Sequence, residues 1–156
     1  VHRLDRDTSG VMIFAQTEYA QRSLSMQFEK RQVKKVYVAR VFGVVTQRIG
    51  LINLPLIVDW ENRPRQMVCH ETGKVAVTEW YKLSSNENES RLRLVPKTGR
   101  SHQLRVHCME LGHPILGDPI YGKASSHFRM MLHSEELRVK HPESGFGSRF
   151  RSKAPF

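Results

Sequence analysis

Cysteine is scarce in this chain: two in 156 residues, Cys69 and Cys108, with no motif spacing between them. A disulfide-stapled scaffold and a four-cysteine zinc site are both excluded, and reduced thiols in a cytosolic compartment are expected. No run of eighteen apolar residues occurs, so no helix is long and apolar enough to cross a membrane. Phosphate-cradling glycine loops are missing too, since Gly99 and Gly112 stand apart. Ser9 and Ser101 have histidines nearby in sequence, but neither sits in a G-x-S-x-G elbow. Eight histidines invite a metal, yet Cys69-His70 and His107-Cys108 followed by His113 lack zinc-ligand spacing, and no metal is expected. Acidic charge is also in short supply: 15 Asp and Glu stand against 25 Lys and Arg, a net charge of +10. That excess favours a polyanionic partner, nucleic acid before a membrane surface. The cations are dispersed, with KRQVKK (30–35) the densest run, which suits a folded surface better than a basic arm.

What is present fits one domain over residues 1–156, long enough to bury roughly two-thirds of its unfolded surface. VMIFAQT (11–17) reads as a buried strand. Thr17 then caps a helix to about Lys30, with Ala20, Leu24 and Phe28 on one face. VYVARVFG (36–43) reads as a strand closed by Gly43, and LINLPLIVD (51–59) as an edge or broken strand because of Pro55. ENRPRQMVCHETGK (61–74) reads as a long basic loop. VAVTEWYKL (75–83) and RLRLVPK (91–97) form a hairpin with a long connection. Ser101 is the expected N-cap of a helix carrying Leu104, Cys108 and Leu111 on one face and stopped by Gly112 and Pro114. MMLHSEELRV is a short strand or helix, followed by a Gly/Ser/Arg-rich end. Strands outnumber helices, so the class is α+β with an antiparallel sheet.

Two clusters could carry chemistry. In VHRLDRDTSG, Asp5 lies between Arg3 and Arg6 and just before the turn Thr8-Ser9-Gly10, a setting for a carboxylate that acts as the anion. In GRSHQLRVH, Arg100, His102, Gln103, Arg105 and His107 surround a helix start, where free amides and the helix dipole attract phosphate. Each has a plain alternative: a surface ion pair in the first case, helix capping in the second. No carboxylate cluster suggests a metal-dependent nuclease.

HRLDRDTSG, KKVYVARVFG, TGRSHQLRVH and GHPILGDPIYG occur in this order and together resemble the RluA family of pseudouridine synthases across essentially the whole chain. The resemblance implies a mostly antiparallel mixed sheet flanked by helices and loops. It implies isomerisation of uridine in RNA, with no metal and no cofactor. Asp5 matches the family's catalytic aspartate. Tyr37 is expected to stack near the uracil and assist removal of the C5 proton, and Arg105 to pair with the aspartate. Leu132 matches an aliphatic wall against the base, although HSEEL departs from the expected HAE. Substrate contacts are expected from Arg3, Arg100, His102, Gln103 and His107, with 61–74 and KRQVKK as outer contacts. Implied substrates are a hairpin-loop uridine of large-subunit rRNA and an anticodon stem-loop uridine of tRNA, met by a cytoplasmic monomer. Family members carry several dozen residues ahead of HRLD. The alternative is therefore a shortened, catalytically impaired module that grips RNA stem-loops without turnover.

Overall fold

The computed structural model describes residues 1–123 and 127–156. The chain runs β1 (Ser9–Gly10), α1 (Glu18–Glu29), β2 (Lys34–Phe42), β3 (Ile49–Asn53), β4 (Leu56–Val58), β5 (Gln66–Val68), β6 (Val77–Ser85) and β7 (Glu89–Pro96). It continues through α2 (Gln103–Glu110), β8 (Leu132–Lys140) and β9 (Gly147–Arg151). Seven strands make one sheet in the order β1-β8-β2-β7-β6-β3, with β9 also on β8, while β4 and β5 pair separately. Every pairing is antiparallel except β1 with β8. This is the expected α+β class with a mostly antiparallel mixed sheet.

Period-two alternation gives the sheet two faces. Tyr37, Ala39 and Val41 of β2 share one face with Leu92 and Leu94 of β7, as the register shows. That face packs on Trp80, on Leu104 and Cys108 of α2, and on Ile115, to form the largest apolar cluster. At the β8 end α1 lies over the same face. Thr17 caps it by accepting from the Ala20 amide at 3.1 Å, and Leu24 is buried with Val33, Leu137 and Val139. Those buried side chains, each contributing about 1.5–3 kcal/mol, fix where the two helices sit.

Several local expectations change. No strand forms over 11–17: the ladder on this edge of β8 is limited to Ser9–Gly10, just ahead of it, because β9 occupies the same edge from Glu136 onward. Val11, Ile13 and Ala15 leave the ladder and pack on the α1 cluster. Gly10 is required where the chain departs: its φ is +118°, and a Cβ there would meet the Ser134 carbonyl at 2.1 Å. The basic loop 61–74 contains β5, paired with β4, and the connection between β6 and β7 is short. The Gly/Ser/Arg-rich end forms β9, and MMLHSEELRV yields the long strand β8. Leu24, Gly43, Pro55, Gly112 and Pro114 act as the sequence indicated.

Candidate active site

Asp5 reaches its main cation from a hundred residues away. Arg105 Nη1 donates to Asp5 Oδ2 at 3.2 Å, while its Nε and Nη2 donate to the two oxygens of Asp118 at 2.8 Å each. The arginine side chain is 5% exposed and that of Asp118 is fully buried, whereas Asp5 keeps 21% of its surface. One buried guanidinium thus bridges two carboxylates, and the outer one faces a cleft. The sequence neighbours Arg3 and Arg6 do not hold Asp5: Arg3 donates to the Ser101 hydroxyl at 3.2 Å, and Arg6 lines a different depression.

Asp118 stands in the GHPILGDPIYG motif, where nothing local marks it as a site residue. Its carboxylate also accepts from the Ile120 and Tyr121 amides at 2.9 and 3.1 Å. Burial alone would raise its pKa. The Arg105 and amide hydrogen bonds outweigh burial and hold the carboxyl below its usual value. Tyr121 completes this side of the site, its ring lying between the guanidinium groups of Arg65 and Arg105 at 4.9 and 5.1 Å.

The cleft has a volume of about 570 Å³, a size that suits a nucleotide. Asp5, Tyr37, Arg105, Leu132, Arg3, Arg100 and His102 all line it. Tyr37 extends from β2, and burial is the main cause that lifts its pKa to about 12; the Ser134 hydroxyl opposes the rise and the Asp5 charge adds to it. The phenol therefore keeps its proton at neutral pH. Leu132 is 3% exposed and lies beside Ala39 in the sheet, which makes it a fixed apolar wall.

At the start of α2 the structure separates residues that the sequence grouped. His102, not Ser101, is the N-cap residue; its backbone is left-handed at φ 54° and its side chain caps nothing. Instead Gln103 ties the helix start. Its Oε1 accepts from the Thr98 hydroxyl at 2.7 Å and the Arg100 amide at 3.0 Å. Its Nε2 donates to the Val77 carbonyl and the Thr78 hydroxyl, both at 3.0 Å. With every donor and acceptor used, Gln103 sits at the cleft floor as a brace and has nothing left for substrate. His102 turns toward the cleft. The Tyr121 hydroxyl accepts from the Gln66 amide at 2.7 Å and donates to His102 Nδ1 at 2.6 Å, which leaves Nε2–H as a donor. Burial, then Arg105, lowers the His102 pKa and keeps the ring neutral.

The expectation for His107 fails. Two residues beyond Arg105 on a helix of 3.6 residues per turn, it points to the opposite side. It is fully buried: the Thr78 hydroxyl donates to Nδ1 at 2.8 Å, and Nε2–H donates to the Leu54 carbonyl at 3.0 Å. Burial lowers its pKa, so it is a neutral core group and not an RNA contact.

KRQVKK also divides. Lys35 lines the cleft and donates to the Thr98 carbonyl at 3.2 Å, whereas Lys34 lies on the other sheet face. The low pKa of Lys35 follows from burial and then from the Arg31 charge. His2 and Phe28 stack at 4.7 Å at the far end of the cleft.

Residues 1–110 match the family model described as RNA pseudouridylate synthase. The dual-specificity RNA pseudouridine synthase RluA of Yersinia pestis is 51% identical over all of this chain and 78% of its own length. The protein of the same name from Escherichia coli K12 is 50% identical over all of this chain and 73% of its own. Among solved structures, human RNA pseudouridylate synthase domain containing 1 superposes with a TM-score of 0.87 at 33% identity, covering 99% of this chain and 68% of that one. Human RNA pseudouridylate synthase domain containing 4 gives 0.82 at 27% identity, covering 99% and 70%. Whole-length identity of this order, on a sheet that brings an aspartate and an arginine together at the mouth of a nucleotide-sized cleft, assigns the chain to the RNA pseudouridylate synthases, enzymes that isomerise uridine in RNA to pseudouridine.

Proposed function

We propose that the chain modifies uridines in the loops of both rRNA and tRNA stem-loops, acting in the cytoplasm as a monomer. The dual-specificity name of the bacterial relatives supports the pair of substrates. The observation that carries the residue roles is the Asp5–Arg105–Asp118 bridge at the cleft. In the reaction N1–C1′ breaks, the uracil turns, C5 joins C1′, the C5 proton leaves and N1 gains a proton. Substrate and product have the same mass.

Asp5 is the reactive carboxylate, whether it adds to C1′, adds to C6 or removes the C2′ proton. Arg105 orients it through the hydrogen bond to Oδ2, and Asp118 sets the plane and position of Arg105. Tyr37 stacks against the flipped uracil and assists at C5, with Leu132 as the opposing wall. The target uridine must leave its stack, and that is cheapest in loops and single strands. Arg3, Arg100 and His102 hold flanking phosphates around the cleft mouth. The 61–74 segment, where Arg63 lies 4.2 Å from the exposed Trp60 ring, meets the RNA further out.

Tritium release from C5-labelled uridine in an rRNA hairpin and in a tRNA anticodon stem-loop tests this directly. Release from both is expected. Release from one alone would overturn the dual specificity, and binding without release would favour a non-catalytic RNA gripper.

A further inference from the structure

On the sheet face opposite the cleft, one carboxylate is surrounded by arginines. The Glu136 side chain is 4% exposed; Arg138 Nε lies 3.2 Å from it, Arg151 Nε lies 3.8 Å from it, and Arg149 Nε hydrogen-bonds to it. The three arginine side chains remain 44, 62 and 51% exposed for residues 138, 151 and 149. Among the described residues, Arg149 and Arg151 meet Glu136 through Nε, so both terminal amino groups of each are left for solvent or a ligand.

Register adds a further cation. Lys34 of β2 stands opposite Arg138 of β8, and Arg138 stands opposite Arg149 of β9. Cross-strand partners share a face, so three cations form a row across three strands, with Arg151 one row away beside Glu136. Like charges directly opposite one another destabilise a sheet, and a single carboxylate among four cations offsets that only in part. Guarding an exposed strand edge would account for Arg149 and Arg151 on β9 and for Lys34 at the end of β2 beyond its pairing with β7, but not for Arg138, which lies between two strands.

We propose that this row is a second RNA contact, which grips backbone phosphates of the stem while the loop uridine occupies the cleft. The inference rests on the pseudouridine synthase assignment and extends it to a surface outside the active site. Geometry links the two places. Lys34 and Lys35 are adjacent at the end of β2, one facing the row and the other lining the cleft, so this strand end is the lip between them. The Arg149 guanidinium, anchored at Nε, presents paired N–H donors in a fixed fork, a geometry that fits phosphate oxygens, and Arg151 adds a looser cation beside it. Fixed cations of this kind position a duplex without reading its sequence.

The test compares wild type with an Arg149→Gln, Arg151→Gln double variant, which leaves Arg138 to pair with Glu136. Binding is measured by fluorescence anisotropy against salt, on a minimal stem-loop and on the same loop carried by a longer stem. The double variant is expected to bind the long RNA about fivefold more weakly, with a salt slope shallower by about 1 to 2. Product formation on saturating minimal stem-loop should stay at the wild-type level. Affinity for the long RNA within twofold of wild type, with an unchanged slope, overturns the proposal. So does an equal loss in the exposed control pair Arg22→Gln, Arg48→Gln, which would reduce the effect to net charge. If the double variant melts early, Lys34→Gln on β2 decides instead: a twofold or greater loss confined to the long RNA supports the contact, and no loss refutes it. Failure of the wild type to form product would count against the enzyme assignment, whereas the binding comparison would still judge the row.

Discussion

The two sheet faces carry inverse ion clusters. On the cleft face one buried arginine is shared by two aspartates; on the opposite face one buried glutamate is shared by three arginines. In the first, the surplus charge is negative and is displayed as a single carboxylate edge at the cleft. In the second it is positive and spread over half-exposed guanidinium groups. A buried counter-ion determines which charge is presented and how rigidly it is held, because a lone buried charge costs several kcal/mol and forces its neighbours into place. Reactivity needs one well-aimed group. Phosphate contact needs several tolerant ones.

Breaking the cleft cluster should have the largest effect. Asp5→Asn is expected to lower product formation by about a thousandfold or more while RNA affinity stays near wild type, read by tritium release and anisotropy. Asp118→Asn leaves Arg105 with half its counter-charge, so kcat should fall by about a hundredfold and stability by about 3 kcal/mol. A loss of activity no greater than the loss of folded protein would mean that Asp118 only stabilises. Thr78→Val cuts the link between Gln103 and His107 without touching the cleft, and urea unfolding should show a loss of about 1–2 kcal/mol. On the other face, Glu136→Gln should lower stability by only about 1 kcal/mol, since the arginines are solvent-screened, and RNA affinity should be no lower than wild type. A clear drop in affinity would show that the carboxylate organises the row more tightly than the comparison allows.

The smallest effect concerns pH. His107 has a lowered pKa in the fold, so the unfolded chain binds its proton more readily. Its contribution is fully present above the ordinary value of 6.5 and is lost as pH falls below it toward the folded value. Melting temperatures measured between pH 7.5 and 5.5 should fall more in wild type than in His107→Asn, by about two degrees.

How much of this was legible in the chain depended on where each partner lies. Asp5, Tyr37, Arg105 and Leu132 could be placed because each stands in a local motif, and the structure brings all four to one cleft. Asp118 escaped because its meaning lies in a guanidinium thirteen residues away across a turn, and nothing in the spacing of GDPIYG announces that. His107 and Gln103 read like their neighbours in sequence because adjacent letters do not show that a helix turns 100° at each residue. The row on the far face was hidden for another reason. Lys34, Arg138 and Arg149 are scattered in sequence, and only register makes them neighbours. Residues 11–17 have the apolar content of a strand, but the available edge of β8 is already taken by β9.

The chain of hydrogen bonds from Gln103 through Thr78 and His107 to Leu54 fastens α2 to β6 and to the segment after β3. Its consequence is kinetic as well as structural. A helix pinned at both its first residue and its middle cannot rotate when RNA arrives, so Arg105 is aimed before the substrate binds. Little reorganisation is then left for the moment when charge develops on the sugar or the base, which is how a fixed dipole or ion lowers a barrier that a mobile one would not. Substitutions at Thr78 or His107, neither of which faces the cleft, would be felt there as a slower reaction and not as weaker binding.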